Sequence, residues 1–331
     1  MRLSYVITSF NNGEYIRDCV LSVIEQSRAA DEILIVDDAS TDGSQDILTD
    51  LAAEFPAIKV QFRQTNLGAG GNRHEGFISA DGPLVTNLAG DDTIDRDKVK
   101  NECFFIEEKG ADLAFSDMEL VYPNGTRHLV STAYFAELDK PADRVTAMLT
   151  RAHPLPHHMV YAKSLYQEVG GYDVTATLYE DWSLKLRLAA SEAKWMHSGK
   201  IGLKYNRHGT GLSSSPGILH TFWRLYVIGR NWGWLTRMVS KEAIVTGCRV
   251  AFDPWGQGQV IRFDTLRQAW LRFLDQTEIE LALLHKVGRA LQIMVEARSD
   301  LLVTESVAHD FIFDALVVAS AHQTTYRPEN I

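Results

Sequence analysis

Three clusters of polar residues in this 331-residue sequence directly follow short apolar runs. They are residues 8–11, which include Ser9 and Asn11, then Asp37-Asp38, and then Asp91-Asp92. Short apolar runs predict buried strands, and an open parallel sheet binds ligands at the carboxyl ends of its strands. Carboxylates gathered at one edge repel each other unless a cation neutralises them. The sequence therefore predicts a polar ligand site that takes Mg²⁺ or Mn²⁺.

Two further segments place charged residues where they could take part in chemistry. Arg73 follows the glycine-rich residues 66–71, at the start of a predicted helix. Glu180 and Asp181 open another predicted helix. Both segments have a structural alternative, because Arg73 could pair with a surface carboxylate and a helix dipole favours acids in the first turn.

The aspartate pairs also have a structural alternative. Asp37 and Asp38 precede a segment rich in capping residues, and either carboxylate could cap the helix that follows. Asp91 and Asp92 could likewise form an N-cap pair before a helix that starts near Asp97. Position alone leaves the capping and ligand-binding interpretations open.

The elements that would hold these residues alternate between strand and helix over about the first 120 residues, which predicts an α/β fold with a mostly parallel sheet. Strands are predicted at residues 3–7, 33–36, 59–63, 84–88, 113–116 and 201–205. The tripeptide Pro123-Asn124-Gly125 predicts a hairpin turn, and the spacing of apolar residues over 16–24 predicts a helix. From about residue 218 onward the sequence is mainly helical in pattern.

Composition excludes several classes of protein. A chain with 45% hydrophobic residues, including 14 Phe, 11 Tyr and 7 Trp, is not disordered. The formal net charge of −10 argues against nucleic-acid binding. No apolar run approaches the roughly 20 residues of a membrane span, and no signal peptide is recognised. We expect a cytoplasmic protein without a transmembrane span, and leave open peripheral contact with the inner face of a membrane.

Taken together, the ordered motifs resemble those of the family-2 glycosyltransferases, which have a GT-A fold with helices on both faces of a Rossmann-like sheet. The resemblance covers about residues 3–215 and no part of residues 218–331. The motifs are Tyr5-Val6-Ile7-Thr8-Ser9-Phe10-Asn11-Asn12, Ile35-Val36-Asp37-Asp38-Ala39-Ser40-Thr41-Asp42-Gly43-Ser44, Asn66-Leu67-Gly68 with Asn72-Arg73-His74-Glu75-Gly76, Leu88-Ala89-Gly90-Asp91-Asp92, and Gly170-Gly171-Tyr172-Asp173 followed by Glu180-Asp181-Trp182 with Leu186-Arg187-Leu188.

The resemblance implies a role for each motif. Asp181 would be the catalytic base, and Asp92, joined by His208 from a late segment, would hold the metal ion. The residues it places at the nucleotide are Ser9, Asn11, Asp37, Asp38, Arg73 and Asp91. The sequence departs from the family pattern at Ala89, where an acid is usual, and at His74, where Asn is common. His157 and His158, in a proline-rich loop, are left unassigned.

The implied activity is inverting transfer of a hexose from a nucleotide-diphosphate sugar, with UDP as the commonest nucleotide, to a glycan or other hydroxyl acceptor. Surface glycan or polysaccharide synthesis is the implied setting. The alternative is a catalytically inactive, glycosyltransferase-like binding or scaffold protein, which Ala89 would favour. We expect a GT-A domain over residues 1–215, with a nucleotide-sugar half of about 1–95 and an acceptor half of about 96–215. A helical region over 216–331 could support a homo-oligomer.

Overall fold

The computed structural model of the protein describes residues 1–209, 211–215 and 217–252. The predicted helical region therefore falls partly outside the described residues, from 253 to 331. Among the described residues, 1–148 and 152–214 form one compact unit, and 149–151 with those between 215 and 252 form a second. The predicted domain limits of 1–215 and 216–331, and the division near residue 95, stay predictions.

Four parallel strands form the first half of the sheet, in the spatial order β3-β2-β1-β4. They are β1 (Leu3–Ser9), β2 (Glu32–Asp37), β3 (Ile58–Phe62) and β4 (Leu84–Ala89). The helices that alternate with them are α1 (Ile16–Ile24), α2 (Ser44–Glu54) and α3 (Gly68–Ser79). In the register, Ser9 lies beside Asp37 and Thr8 beside Ala89. The three predicted polar clusters therefore emerge at one edge of the sheet.

The second half of the sheet adds antiparallel pairings. Strand β8 (Val160–Ala162) lies antiparallel between β4 and β6 (Leu113–Val121), and the hairpin strand β7 (Arg127–Val130) pairs antiparallel with β6. Strand β9 (Trp195–Asn206) is parallel to β6 but antiparallel to β5 (Thr93–Ile94). The predicted α/β class is confirmed, and the sheet is mixed beyond β4. A tight turn joins the antiparallel neighbours β6 and β7, whereas long connections separate the other antiparallel pairs. The elements here are β5 (Thr93–Ile94), α4 (Lys98–Lys109), β6 (Leu113–Val121), β7 (Arg127–Val130), α5 (Pro141–Thr150), β8 (Val160–Ala162), α6 (Lys163–Glu168), α7 (Glu180–Ala190) and β9 (Trp195–Asn206).

The predicted amphipathic helix over residues 16–24 is confirmed as α1. Its buried face carries Ile16, Cys19, Val20 and Val23, the spacing that the sequence showed. Helix α4 begins after Asp97, and the side-chain oxygen of Gln26 accepts the N–H of Val99 in its first turn at 3.0 Å, so neither Asp91 nor Asp92 caps it. The capping interpretation of Asp91 and Asp92 is therefore wrong for these two residues.

Helix α3 approaches its neighbours too closely for a side chain at two of its glycines. A Cβ at Gly76 would lie 2.5 Å from Cγ1 of Val6 in β1, and a Cβ at Gly70 would lie 2.7 Å from the carbonyl oxygen of Asp173. Contacts this short do not occur between real Cβ atoms and fixed neighbours. These glycines let α3 pack directly on the sheet and on the segment that precedes α7.

The described part of the second unit contains α8 (Gly217–Arg230), α9 (Trp232–Met238) and α10 (Lys241–Phe252). Apolar side chains such as Leu225 and Cys248 are fully buried in it. No helix among the described residues has both the length and the apolar character needed to cross a bilayer.

The first unit contains a buried ion pair between two residues of α4. Lys98 and Glu102 are one helical turn apart in α4, their charged atoms are 2.5 Å apart, and neither side chain is more than 1% exposed. Lys98 also donates to the carbonyl oxygen of His158 at 2.7 Å, and Ser116 donates to Glu102 at 2.7 Å. The pair thus fixes the loop before β8 by a charged hydrogen bond.

We expect the change Lys98→Met to destabilise the protein by about 3–5 kcal/mol, because it leaves the Glu102 carboxyl buried without its cation. The midpoint of thermal unfolding should fall by at least about 6 °C, measured by circular dichroism. The control is Arg17→Met, which removes an exposed ion pair with Glu54 at 3.5 Å and should cost less than about 1 kcal/mol. Equal shifts of the unfolding midpoint in the two variants would contradict a stabilising role for the buried pair of Lys98 and Glu102.

Candidate functional site

Two backbone hydrogen bonds align the turns that carry the predicted polar clusters at the carboxyl edge of the sheet. The N–H of Asp38 donates to the carbonyl oxygen of Ser9, and the N–H of Gly90 donates to that of Thr8, both at 2.8 Å. The turns after β1, β2 and β4 therefore lie side by side. This is the arrangement that the sequence predicted for them.

Asp37 shapes the turn after β2. Its carboxylate accepts the backbone N–H of Ser40 at 2.9 Å, the hydroxyl of Ser40 at 2.5 Å and the amide of Gln45 at 2.9 Å. The side chain is completely buried. Asn11 joins this turn to the one after β1, because its N–H donates to Ser40 and its side-chain oxygen accepts the N–H of Thr41, both at 2.8 Å. Both residues therefore fix loop shape, and their contact with a nucleotide stays a prediction.

Asp38 and Ser9 line the same edge. Asp38 is buried and accepts the N–H of Leu67 at 2.8 Å, which ties β2 to the glycine-rich loop. Burial raises the pKa of its carboxyl group. The hydroxyl of Ser9 is also buried and has no hydrogen-bond partner among the described residues. A buried polar atom without a partner is what a bound ligand would satisfy.

Asp92 is a buried carboxylate, and the partners that contact its oxygens in the described part of the chain are neutral. Its two oxygens face the backbone N–H of Asn206 at 2.8 Å and Nε2 of His158 at 3.4 Å. Burial, followed by the charge of Asp91, raises the pKa of Asp92. Burial also lowers the pKa of His158, which is therefore neutral and cannot offset the charge of Asp92.

His208 meets the acidic pair, as the sequence predicted, but through Asp91. Its Nε2 lies 2.8 Å from Oδ2 of Asp91, and its ring stacks on Tyr15 with the centroids 4.9 Å apart. Two carboxylates and an imidazole fit Mn²⁺ or Mg²⁺ by donor chemistry. Among the described residues, no three such side chains are already grouped around a metal position. The residue types therefore fit the ion, and metal binding stays a prediction.

Arg73 forms an ion pair with Glu180, the first residue of α7. Burial works to lower the pKa of the guanidinium, but the negative charges around it, led by Glu180 and including Asp181 and Asp91, together raise the pKa above the usual value. Glu180 is 5% exposed, so this partner is a buried carboxylate and not the surface one that the sequence left open. The Nε atom of Arg73 is buried with no hydrogen-bond partner among the described residues. Its predicted contact with a diphosphate is not tested.

Asp181 lies in the first turn of α7, with its side chain 30% exposed. Lys185, one turn further along, donates to Oδ2 of Asp181 at 2.7 Å. Although burial would raise the pKa of Asp181, the charge of Lys185, aided by Arg73, holds it below its ordinary value. Asp181 is thus an ionised carboxylate that is partly accessible, and its role as a base stays a prediction.

The sequence left three residues of this site without a role. Nδ1 of His157 lies 3.3 Å from Nζ of Lys185, and burial, followed by the charge of Lys185, lowers the pKa of His157 to about 3. His158 stands between Asn87, at 3.0 Å, and Asp92. The spacing of four residues between Asp181 and Lys185 was the one local signal that could have revealed this lysine.

Comparisons of the sequence with a family model and with known proteins agree on one family. The family model described as glycosyl transferase family 2 matches residues 4–170. The chain is similar to TuaG of Bacillus subtilis, a glycosyltransferase assigned provisionally to teichuronic acid biosynthesis, with 35% identity over 38% of this chain and 49% of that protein. It is also similar to the succinoglycan biosynthesis protein ExoO of Rhizobium meliloti, with 25% identity over 50% of this chain and 47% of that protein. The matches span about half the length of these two relatives.

Among solved structures, the fold is similar to that of S. aureus TarS residues 1–349 in complex with UDP-GlcNAc. The TM-score is 0.60, with 19% identity, over 100% of this chain and 94% of that chain. At this level of identity the likeness shows the fold alone. It confirms the GT-A type that the sequence motifs implied.

We expect His157→Gln to weaken the pH dependence of stability. The unfolded chain binds a proton at His157 below about pH 6.5, whereas the folded protein does so only near its pKa of about 3. The wild-type protein therefore loses stability as the pH falls between these values, and the variant lacks this contribution. Thermal unfolding from pH 7 to pH 4 measures the difference. The exposed His128→Gln is the control, and parallel curves for all three proteins would contradict the expectation.

Proposed function

This chain belongs to glycosyltransferase family 2, and from that premise we propose that it transfers a hexose from a nucleotide-diphosphate sugar to a hydroxyl acceptor with inversion. The observation that carries the proposal is the position of Arg73. This one guanidinium lies within electrostatic reach of Asp91, on the proposed donor side, and of Asp181, on the proposed acceptor side. A donor and an acceptor could therefore meet between these two carboxylates.

The donor's nucleotide is proposed to bind at the turns after β1 and β2. The carboxylate of Asp38 would accept an N–H of the base, and the buried hydroxyl of Ser9 would gain a partner there. UDP is the nucleotide we propose, because the TarS structure of similar fold is a complex with UDP-GlcNAc. The names of TuaG and ExoO support a setting in polysaccharide synthesis.

Asp91, Asp92 and His208 are the residues proposed to hold Mn²⁺ or Mg²⁺. The support is the burial of Asp92 beside Asp91, which raises its pKa, and the contact of His208 with Asp91. When bound, such an ion supplies a positive charge that stabilises the leaving diphosphate. Arg73 would add a second positive charge near the same group if its pairing with Glu180 allows it to turn toward the donor.

The proposed chemical step is a single displacement. The bond from the anomeric carbon to the phosphate oxygen breaks, and a bond from the same carbon to the acceptor oxygen forms on the opposite face. Asp181 accepts the proton of the acceptor hydroxyl, since its lowered pKa keeps it ionised and its side chain is partly exposed. One displacement inverts the anomeric centre and requires no carboxylate nucleophile.

We expect one nucleoside diphosphate to stabilise the protein in a thermal-shift screen of UDP, GDP, dTDP and CMP with and without Mn²⁺. At about 100 times its dissociation constant, a ligand adds roughly 2.7 kcal/mol. Because Asp92 is the proposed metal ligand, the part of the shift that needs Mn²⁺ should disappear in Asp92→Asn. It should persist in Asp50→Asn, an exposed position on α2. No shift with any nucleotide would favour the scaffold alternative.

We expect Asp181→Asn to lower the rate of hydrolysis of UDP-GlcNAc, measured as released UDP, by about 10²–10⁴-fold. Water serves as the acceptor in this assay, so no glycan needs to be known. Binding of UDP should be unchanged because Asp181 acts on the acceptor. A variant with a rate near that of the wild type would exclude Asp181 as the base, and Asp50→Asn again supplies the control.

A further inference from the structure

Lys185 is buried in the first unit, in the middle of α7, although lysine is rarely buried without a partner. Its side chain is 6% exposed. The ammonium group has two neighbours at hydrogen-bonding distance, Oδ2 of Asp181 at 2.7 Å and Nδ1 of His157 at 3.3 Å. Both neighbours lie on the proposed acceptor side of the site.

His157 and Asp181 come from different elements, and Lys185 joins them. Nδ1 of His157 and Oδ2 of Asp181 are 3.9 Å apart, too far for a direct hydrogen bond. His157 is neutral, so its Nδ1 is free to accept a hydrogen from the ammonium group of Lys185. The ammonium group therefore fixes one carboxylate oxygen of Asp181 against the loop that precedes β8.

We propose that Lys185 is the positioning residue for the acceptor base: with His157 as its second anchor, it fixes the carboxylate of Asp181 in the orientation that receives the acceptor proton. This inference rests on the base role proposed for Asp181. Lys185 itself would touch neither the donor nor the reacting hydroxyl. It acts through the carboxylate that it holds.

The charges around Asp181 show why the lysine matters. Lys185 and His157 face the carboxylate from α7 and the loop, Arg73 faces it from α3, and Glu180 precedes it in α7. Because Arg73 is already paired with Glu180, Lys185 is the cation in direct contact with Asp181. Without Lys185, burial and the charge of Glu180 would favour the protonated carboxyl, which cannot accept a proton.

The test compares Lys185→Met with Lys185→Arg, using hydrolysis of UDP-GlcNAc from about pH 3 to pH 9, a range that begins below the ordinary pKa of an aspartate. In the methionine variant we expect kcat on the plateau to fall roughly 10- to 100-fold, as for other misplaced catalytic groups, with little change in KM for UDP-GlcNAc. The acid limb of the profile should move up by about 1–3 pH units because the neighbouring positive charge is gone. The arginine variant should keep the wild-type acid limb.

Lys200→Met is the matched control, since it makes the same change at an exposed position of β9. Thermal unfolding of each variant checks that it folds, and Lys185→Gln serves in place of Lys185→Met if the latter does not. A lower kcat with an unmoved acid limb would mean a merely structural role and would overturn the proposal. So would a Lys185→Met profile that matches the wild type in both respects.

A second measurement separates this inference from the proposed function. The ¹³Cγ shift of Asp181, assigned by its loss in Asp181→Asn, reports the titration of this carboxyl group without substrate. We expect Asp181 to titrate about 1–3 pH units higher in Lys185→Met than in the wild type. If no nucleotide sugar is hydrolysed and this displacement is still seen, the proposed function fails while Lys185 keeps its hold on Asp181. Identical titrations would overturn the inference whatever the activity.

Discussion

The ion pair between Arg73 and Glu180 joins the two sides of the site, and the remaining geometry depends on it. Arg73 follows the glycine-rich loop, while Glu180 begins the helix that carries Asp181. Both charges are largely buried, so each is tolerated only because the other is present. The pair therefore fixes the start of α7 against α3. The pair also engages Arg73, which the sequence assigned to a diphosphate. A bound diphosphate would have to share this guanidinium with Glu180.

Charge compensation is uneven over the rest of the site. Asp181 is paired with Lys185 and Glu102 with Lys98, whereas the described groups that contact Asp92 are neutral and Arg73 acts on it only from a distance. A buried acid without a cation is costly, and sites of this kind are often functional. The contrast makes the turn after β4 the place where a bound cation would offset the most buried acidic charge. The loop before β8 touches both regions, since His158 faces Asp92 and His157 faces Lys185.

Sequence reasoning succeeded where the signal was local. The apolar runs predicted β1 to β4, and the spacing of apolar residues predicted α1. The polar residues after the strands predicted which edge of the sheet collects them. It failed where the partner lies far along the chain. Arg73 and Glu180 are 107 residues apart, and spacing within one helix cannot choose such a partner. The three-residue strand β8, which places both histidines, is too short for a periodic pattern.

The close packing of two glycines in α3 limits how far this helix can change over evolutionary time. Arg73 lies three residues from Gly70 and three from Gly76, and at both glycines the helix meets its neighbours with no space for a methyl group. A substitution at either glycine would move this helix away from its neighbours and displace the guanidinium of Arg73. Exposed positions of the same helix, such as Ile78, carry no such restriction, so descendants of this chain would change there first and keep the place of Arg73.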